Sequence, residues 1–313
     1  MILNTIGKHE IDIRIKNQSI QNSPFIFNVL KSRDPKSISN HPIFTFGSEG
    51  SNDGQFFFPR GICINSKGEI IVADCANHRI QIFDKDGKFI CKFGSTGKAN
   101  GQFFWPKAVV INQQDNIYIS GSGNDRIQIF NADGSIHLLT IGLKGSNDGQ
   151  FNNPYGICID SDNNNILVAD RGNHRIQIFD KDGKFIRKFC KQGCGAGELD
   201  HPTGIVLNSK KEIVVSEYAN HRLQVFDYQG NHLRFIGMGN LQNPYHLCLD
   251  EQDNIFIRNL KRNAEISVFS SITGELIHSF GKGFLNEPQG IAFDPISQRI
   301  FVANTDSHNI CVF

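Results

Sequence analysis

Read for alternation of apolar and polar positions, the chain breaks into short runs rich in Ile, Val and Phe, none long enough for a buried helix. Four such runs open the ordered pattern: GICIN from Gly61, EIIVAD from Glu69, RIQIFD from Arg79 and KFICKF from Lys88. Each shows period-two alternation or continuous apolarity, which predicts strands. SKG precedes the second run and DKDG separates the third from the fourth, and both are turn chemistry. The set then recurs. NHRIQIFDKDGKFI stands at Asn77–Ile90 and again, unchanged, at Asn173–Ile186. Looser copies begin at Asn124, Asn220 and Asn263, and a truncated SHNICVF begins at Ser307. Ahead of each copy lies a Pro-x-Gly-like segment, at Pro59, Pro106, Pro154, Pro202, Pro244 and Pro288, with spacings of 47, 48, 48, 42 and 44 residues. Four antiparallel strands per unit of about 45 residues predict a propeller blade, because a lone blade leaves both faces bare until neighbours stack on it.

The last unit supplies PQGIAFD, RIFVAN and NICVF and stops at Phe313 without a fourth strand. PIFTFG, ahead of the first Pro, supplies one: Phe46-Gly47 matches Phe93-Gly94. The pattern therefore predicts an all-β, six-bladed β-propeller over residues 43–313, closed by exchange of a terminal strand, which removes a free sheet edge.

The Pro-x-Gly, Asn-His-Arg-Ile-Gln-Ile-Phe and Asp-Gly positions, in order through six units, resemble NHL repeats. Before them, GKHEIDIRIKNQSIQNSPF from Gly7, with its Asn22-Ser23-Pro24-Phe25 turn, resembles the last strands of a filamin-type immunoglobulin-like repeat. A filamin repeat joined to an NHL propeller is similar to the C-terminal half of tripartite-motif (TRIM-NHL) proteins. The expected order is then a C-terminal filamin fragment at 1–30, a linker at 31–42 and the propeller. Residues 1–30 can hold two or three of the roughly seven strands a filamin domain needs, so the N-terminus reads as a truncation. The resemblance implies a RING-type ubiquitin ligase in full-length relatives; no Cys-x2-Cys series of a RING stands here, and no enzymatic activity is expected of this chain.

Composition changes the picture little. The 313 residues carry 32 Lys+Arg against 31 Asp+Glu, a formal net charge of +1, so a nucleic-acid function cannot come from a basic chain as a whole. No apolar stretch approaches the roughly 18 residues of a membrane span, and a cytoplasmic, monomeric propeller is expected. Cys63, Cys158 and Cys248 recur at one repeat position as small buried hydrophobes. Cys190 and Cys194 lack the partners of a zinc site, and no metal or cofactor is expected.

Function is sought where the units disagree. Repeated Asp74 with His78 and Arg79, and Asp170 with His174 and Arg175, read as framework, tied by charge-assisted hydrogen bonds. The inner strands are apolar apart from His246, which does not suit a metal-dependent propeller enzyme. The residue after each Pro varies, as Arg60, Lys107, Tyr155, Thr203, Tyr245 and Gln289. The loop after each second strand varies too: Cys75, Ser122, Arg171, Tyr218 and Thr305, with Arg258, Lys261 and Arg262 gathered in the fifth unit. Arg60, Lys107, Arg171, Arg258, Lys261 and Arg262, interleaved with Tyr155, Tyr218, Tyr245 and His246, form the expected binding ring on the Pro-x-Gly face. Cations neutralise phosphates and aromatic rings stack bases. The resemblance points the same way, to RNA, as a single-stranded element or a short stem-loop. Tyr and Arg equally favour protein interfaces, so a protein ligand is the alternative.

Overall fold

The computed structural model describes the backbone of residues 7–11, 14–15, 18–19, 25–29, 32–262 and 264–313, and the side chains of 32–261 and 264–313. It divides into two units, Met1–Ser37 and Ile38–Phe313. In the first, Gly7–Ile11 pairs antiparallel with Phe25–Val29, and Arg14–Ile15 with Gln18–Ser19.

The second unit is a propeller of six four-stranded antiparallel blades. The first blade runs Pro59–Ile64, Ile70–Asp74, Arg79–Phe83 and Phe89–Phe93, from the axis outward. The sixth is completed from the other end of the unit: Phe44–Phe46 pairs with Asn309–Val312 in the register Ile310↔Phe46, Cys311↔Thr45 and Val312↔Phe44. Matching glycines mark the clasp and its counterpart. Gly47 (φ +87°) and Gly94 (φ +91°) adopt left-handed backbone, and a Cβ on either would strike the ring of Phe56 or Phe103. The expected linker is shorter than 31–42, because Ile38 is buried between the fifth and sixth blades with Phe256, Phe280 and Phe313. Asn40 there exchanges hydrogen bonds with Lys282.

Each blade junction holds its own apolar cluster. Between the first two, Ile71, Ala73, Ile80 and Ile82 meet Phe103, Val109, Ile117, Ile119 and Phe130. A fully buried Phe contributes about 1.5–3 kcal/mol, and the ring repeats that contribution junction by junction.

The repeated charges are framework. Asp74 accepts from Phe57 N (2.8 Å), Asn77 Nδ2 (2.9 Å), Arg79 Nε (2.7 Å) and Gln81 Nε2 (3.1 Å). Arg79 spends its other donors on the carbonyls of Ser51, Asn52 and Gln55. Asp170–Arg175–Gln177 and Glu217–Arg222–Gln224 repeat the node. The expected grouping of His78 with Asp74 and Arg79 needs correction. His78 sits in left-handed backbone (φ 57°), turned to the next blade, where its Nδ1 accepts from Trp105 N at 3.1 Å. His174 accepts likewise from His201 N, His221 from Asn243 N and Asp125 from Asn153 N. His308 accepts from Phe58 N at 3.1 Å and staples the sixth blade to the first. At the fifth-to-sixth junction Ala264 occupies the position and offers no acceptor side chain.

Candidate functional site

Register shifts follow the Pro of five inner strands, as between Pro59 and Ile62, where each strand leaves its neighbour and approaches the axis. The Gly of Pro-x-Gly lets adjacent inner strands touch: a Cβ on Gly61 would lie 2.7 Å from the backbone of Ala108. His246 stands at that position in the fifth blade, whose inner strand is only Leu247–Leu249. Its buried imidazole lies 5.5 Å from the Tyr155 ring, and its Nε2 has no protein hydrogen-bond partner. Burial, with Arg60 and Lys107 nearby, pushes its pKa down to about 3.

Residues expected as a surface ring instead pack on one another across the axial mouth. Arg60 Nη1 donates to Tyr155 Oη at 2.7 Å and to Gln289 Oε1. Tyr155 stands edge-on to Tyr245 at 5.5 Å, and Tyr245 edge-on to Tyr218 at 5.3 Å. Lys107 Nζ lies 5.7 Å from the Tyr155 ring and 3.6 Å from Cys75 Sγ. Burial lowers the Lys107 pKa to about 8; Cys75 opposes the shift, and Arg60 and Arg171 reinforce it. Arg171 lies over Tyr155 and Tyr218 at 5.9 and 5.6 Å.

The fifth-blade cations divide. Arg258 is not at the rim: it lies within the strand Asn254–Asn259, where other blades carry Ala73, Ser120, Ala169, Ser216 and Ala303. It is 2% exposed, stacked on Tyr245 at 4.7 Å and paired with Glu287, and its Nε and Nη1 have no protein hydrogen-bond partner. Burial lowers its pKa, against Glu287. Lys261 is exposed and donates to Gly239 O, beside Met238 and Gln242 rather than at the axis. The Arg262 side chain lies outside the described residues. Thr203 and Thr305 turn away from the mouth to the carbonyls of Pro244 and Pro59.

Tyr155, His246 and Arg258 are thus buried at the bottom of the mouth, while Arg60, Lys107, Arg171, Tyr218 and Tyr245 are half-buried above them. Among the described residues, four cations (Arg60, Lys107, Arg171 and Arg258) share the place with one carboxylate, Glu287.

A rim of aromatic residues continues the site, and reading the residue after Pro overlooks it because its members precede the Pro. His78, Phe104 and Trp105 stack at 5.1 and 5.0 Å, and Phe57 and Phe58 gather around His308 at 5.3 and 4.8 Å. Trp105 is 47% exposed, Phe57 38% and Phe104 37%. Lys107 Nζ, 5.6 Å from the Trp105 ring, joins rim to mouth. The equivalent pairs in other blades are Asn152-Asn153, Asp200-His201, Gln242-Asn243 and Asn286-Glu287, so the platform belongs to the first two blades.

Beneath the mouth the axis holds a cavity of about 320 Å³, lined by the Ile, Val and Leu of the inner strands. The ionisable groups in its wall are His246 and the thiols of Cys63, Cys158 and Cys248; burial raises the thiol pKa values, that of Cys158 to about 12. Cys and His are zinc ligands by type, but among the described residues the ligand atoms of this wall are not brought within reach of one ion, and the wall holds no carboxylate to pair with His246 as acid and base.

The NHL repeat family model matches residues 56–83, 151–179 and 199–226. These are the three blades whose Asp/Glu–Arg–Gln node is complete. Protein lin-41 of Caenorhabditis elegans is 44% identical over 87 residues, 28% of this chain and 8% of that protein. E3 ubiquitin-protein ligase TRIM71 of Xenopus tropicalis is 45% identical over 83 residues, 26% of this chain and 10% of that protein. The chain is a six-bladed propeller of NHL repeats, similar to those of TRIM-NHL proteins. The alignments span a tenth or less of those relatives' lengths. Among solved structures, a streptogramin B lyase superposes with TM-score 0.62 over 86% of both chains. A gluconolactonase of Xanthomonas campestris gives TM-score 0.64, covering 83% of this chain and 88% of its own. Both are 16% identical to the NHL propeller, which shows a shared fold and no more.

Proposed function

We propose that the NHL propeller is a non-catalytic recognition module that binds RNA, as a single-stranded element or the loop of a short stem, on its Pro-x-Gly face. The observation that carries this reading is the junction at Lys107. There, an exposed aromatic platform (Phe57, Phe104, Trp105) meets a mouth in which four cations face one carboxylate. Stacking a base on such a ring is worth about 1–3 kcal/mol. Arg60, Lys107 and Arg171 are the cations within reach of phosphates; Arg258 acts from below through the field it adds. In a ligase such as TRIM71 is named to be, the propeller would select what the rest of the protein acts on.

The test is fluorescence anisotropy with a U-rich single strand and a stem-loop at about 100 mM salt. With three phosphate contacts on a single strand, the slope of log K against log salt should be about −2. Arg60→Glu combined with Arg171→Glu should abolish binding, and Trp105→Ala should weaken it by about tenfold or more. Absence of binding, or binding indifferent to the double change, sinks the RNA reading. A salt-insensitive protein ligand lost with Trp105→Ala would put the protein-only reading in its place.

A further inference from the structure

The staple between the third and fourth blades differs from every other. His174 Nδ1 accepts from the backbone N–H of His201 at 3.2 Å, as its counterparts do at their junctions. Among the histidine staples of the described residues, this one is joined by a carboxylate. Asp200 Oδ1 lies 3.1 Å from His174 Nδ1 and 2.6 Å from His201 Nδ1, and the two imidazoles meet edge-on at 4.6 Å. The residues at the place of Asp200 elsewhere are Phe57, Phe104, Asn152, Gln242 and Asn286, none of them acidic.

This arrangement leaves one contact without a proton. While His174 Nδ1 receives the His201 N–H its one lone pair is engaged and it carries no proton, yet a carboxylate oxygen sits at hydrogen-bond distance from it. Two acceptors face each other, and protonating Nδ1 would merely turn the conflict onto the backbone N–H. A cation that takes the Nδ1 lone pair turns the two facing acceptors into ligands of one ion, at the cost of the His201 N–H contact, which at 3.2 Å is the longest of the histidine staples. The donor atoms of all three side chains lie within 4.8 Å of one another, and all three residues are half-buried, open to an arriving ion. Ligands about 2.0–2.1 Å from a tetrahedral ion stand roughly 3.3 Å apart, close to the 3.1 Å between His174 Nδ1 and Asp200 Oδ1, while the 2.6 Å His201–Asp200 contact is a hydrogen bond that opens as the ion enters.

We propose that His174, Asp200 and His201 form a site for one divalent ion of the zinc class, bracing the third blade to the fourth. Two imidazoles and one carboxylate suit zinc, cobalt or nickel better than magnesium or calcium, which prefer all-oxygen shells. The remaining positions on the ion go to water. Such an ion lies at the rim of the disc and is independent of the ligand of the axial mouth.

The experiment uses the full chain with its cysteines held reduced by a phosphine. Zinc chloride is titrated calorimetrically, and cobalt chloride is followed by visible absorption. The expected result is one equivalent bound, a cobalt spectrum of nitrogen and oxygen ligands without thiolate charge transfer, and a zinc-dependent rise in melting temperature. His201→Asn and Asp200→Asn should each lower affinity at least tenfold and remove that rise. His174 is left intact because it staples the blades, and circular dichroism verifies that both variants fold. A thiolate band, or zinc binding as tight in both variants as in the parent chain, overturns the site. So does the absence of binding to the parent chain at millimolar zinc.

Discussion

Arg79 and Arg258 are both buried guanidinium groups and could hardly be used more differently. Arg79 has a carboxylate at 2.7 Å and three carbonyl acceptors, so each of its nitrogens is engaged. Arg258 is more deeply buried, yet it holds Glu287 by one nitrogen, rests on Tyr245 and leaves Nε and Nη1 without protein partners. The first arrangement recurs in three blades; the second occurs where blades put Ala or Ser. A satisfied buried charge holds a fold together, whereas an under-satisfied one costs stability and serves something else. The contrast separates charge issued by the repeat from charge concentrated at the mouth.

The sharpest way to break this comparison is to remove one partner from each kind. Asp170→Ala strands Arg175 and should cost about 3–5 kcal/mol in denaturant unfolding. Arg258→Met, which replaces an incompletely paired charge by an apolar side chain, should be neutral or stabilising while lowering ligand affinity. Equal losses in the two variants would erase the distinction.

Acid probes the mouth next. His246 is held neutral in the fold, with its pKa lowered from 6.5 to about 3, so between those values the unfolded chain binds the extra proton. Stability should therefore fall as pH drops below about 6.5, by about 1.4 kcal/mol per pH unit from this group, down to about pH 3. Melting of His246→Asn against pH should lack that component of the slope.

Alkali probes the same cluster through its ligand. Lys107 loses its proton near pH 8. RNA affinity should weaken severalfold as pH rises from 7 to 9, and Lys107→Arg should make it flat over that range.

The smallest effect belongs to the staples. Ala264→His would offer an acceptor at the one junction without one and should raise stability by about 0.5–1 kcal/mol. His221→Ala, which orphans the N–H of Asn243, should lower it by about 1 kcal/mol or more. Thermal unfolding of the two variants together measures what a staple is worth.

Much of the architecture is legible along the chain. Repetition reports the same environment six times, so the blade count, the strand runs and the exchanged strand Phe44–Phe46 follow from pattern alone. The site is legible only in outline. Position after each Pro groups Arg60, Lys107, Tyr155 and Tyr245, whose side chains adjoin at one mouth. It does not say that Tyr155 and His246 face inward, or that Gln289 lies against Arg60 across 229 residues of chain. Lys261 shows the converse: near Arg258 in sequence, it is carried to the outer rim by the turn that follows the strand. Arg258 left a signal, a long charged side chain in a slot for Ala or Ser, and the pairs Phe57-Phe58 and Phe104-Trp105 before Pro59 and Pro106 left another, aromatic where the other blades put polar residues.

What the sequence by itself determined is everything set by local period: strands of alternating polarity, turns at Asp-Gly, six units and their closure. The tertiary structure alone decided depth and partnership. Whether His78 bonds within its blade or across to Trp105, whether Arg258 meets water or Tyr245, and which acid lies beside His174 depend on where the ring brings distant loops together. The reason is physical. Strand pairing is governed by neighbours a few residues away, whereas the field and the burial at the axis are sums over all six blades at once.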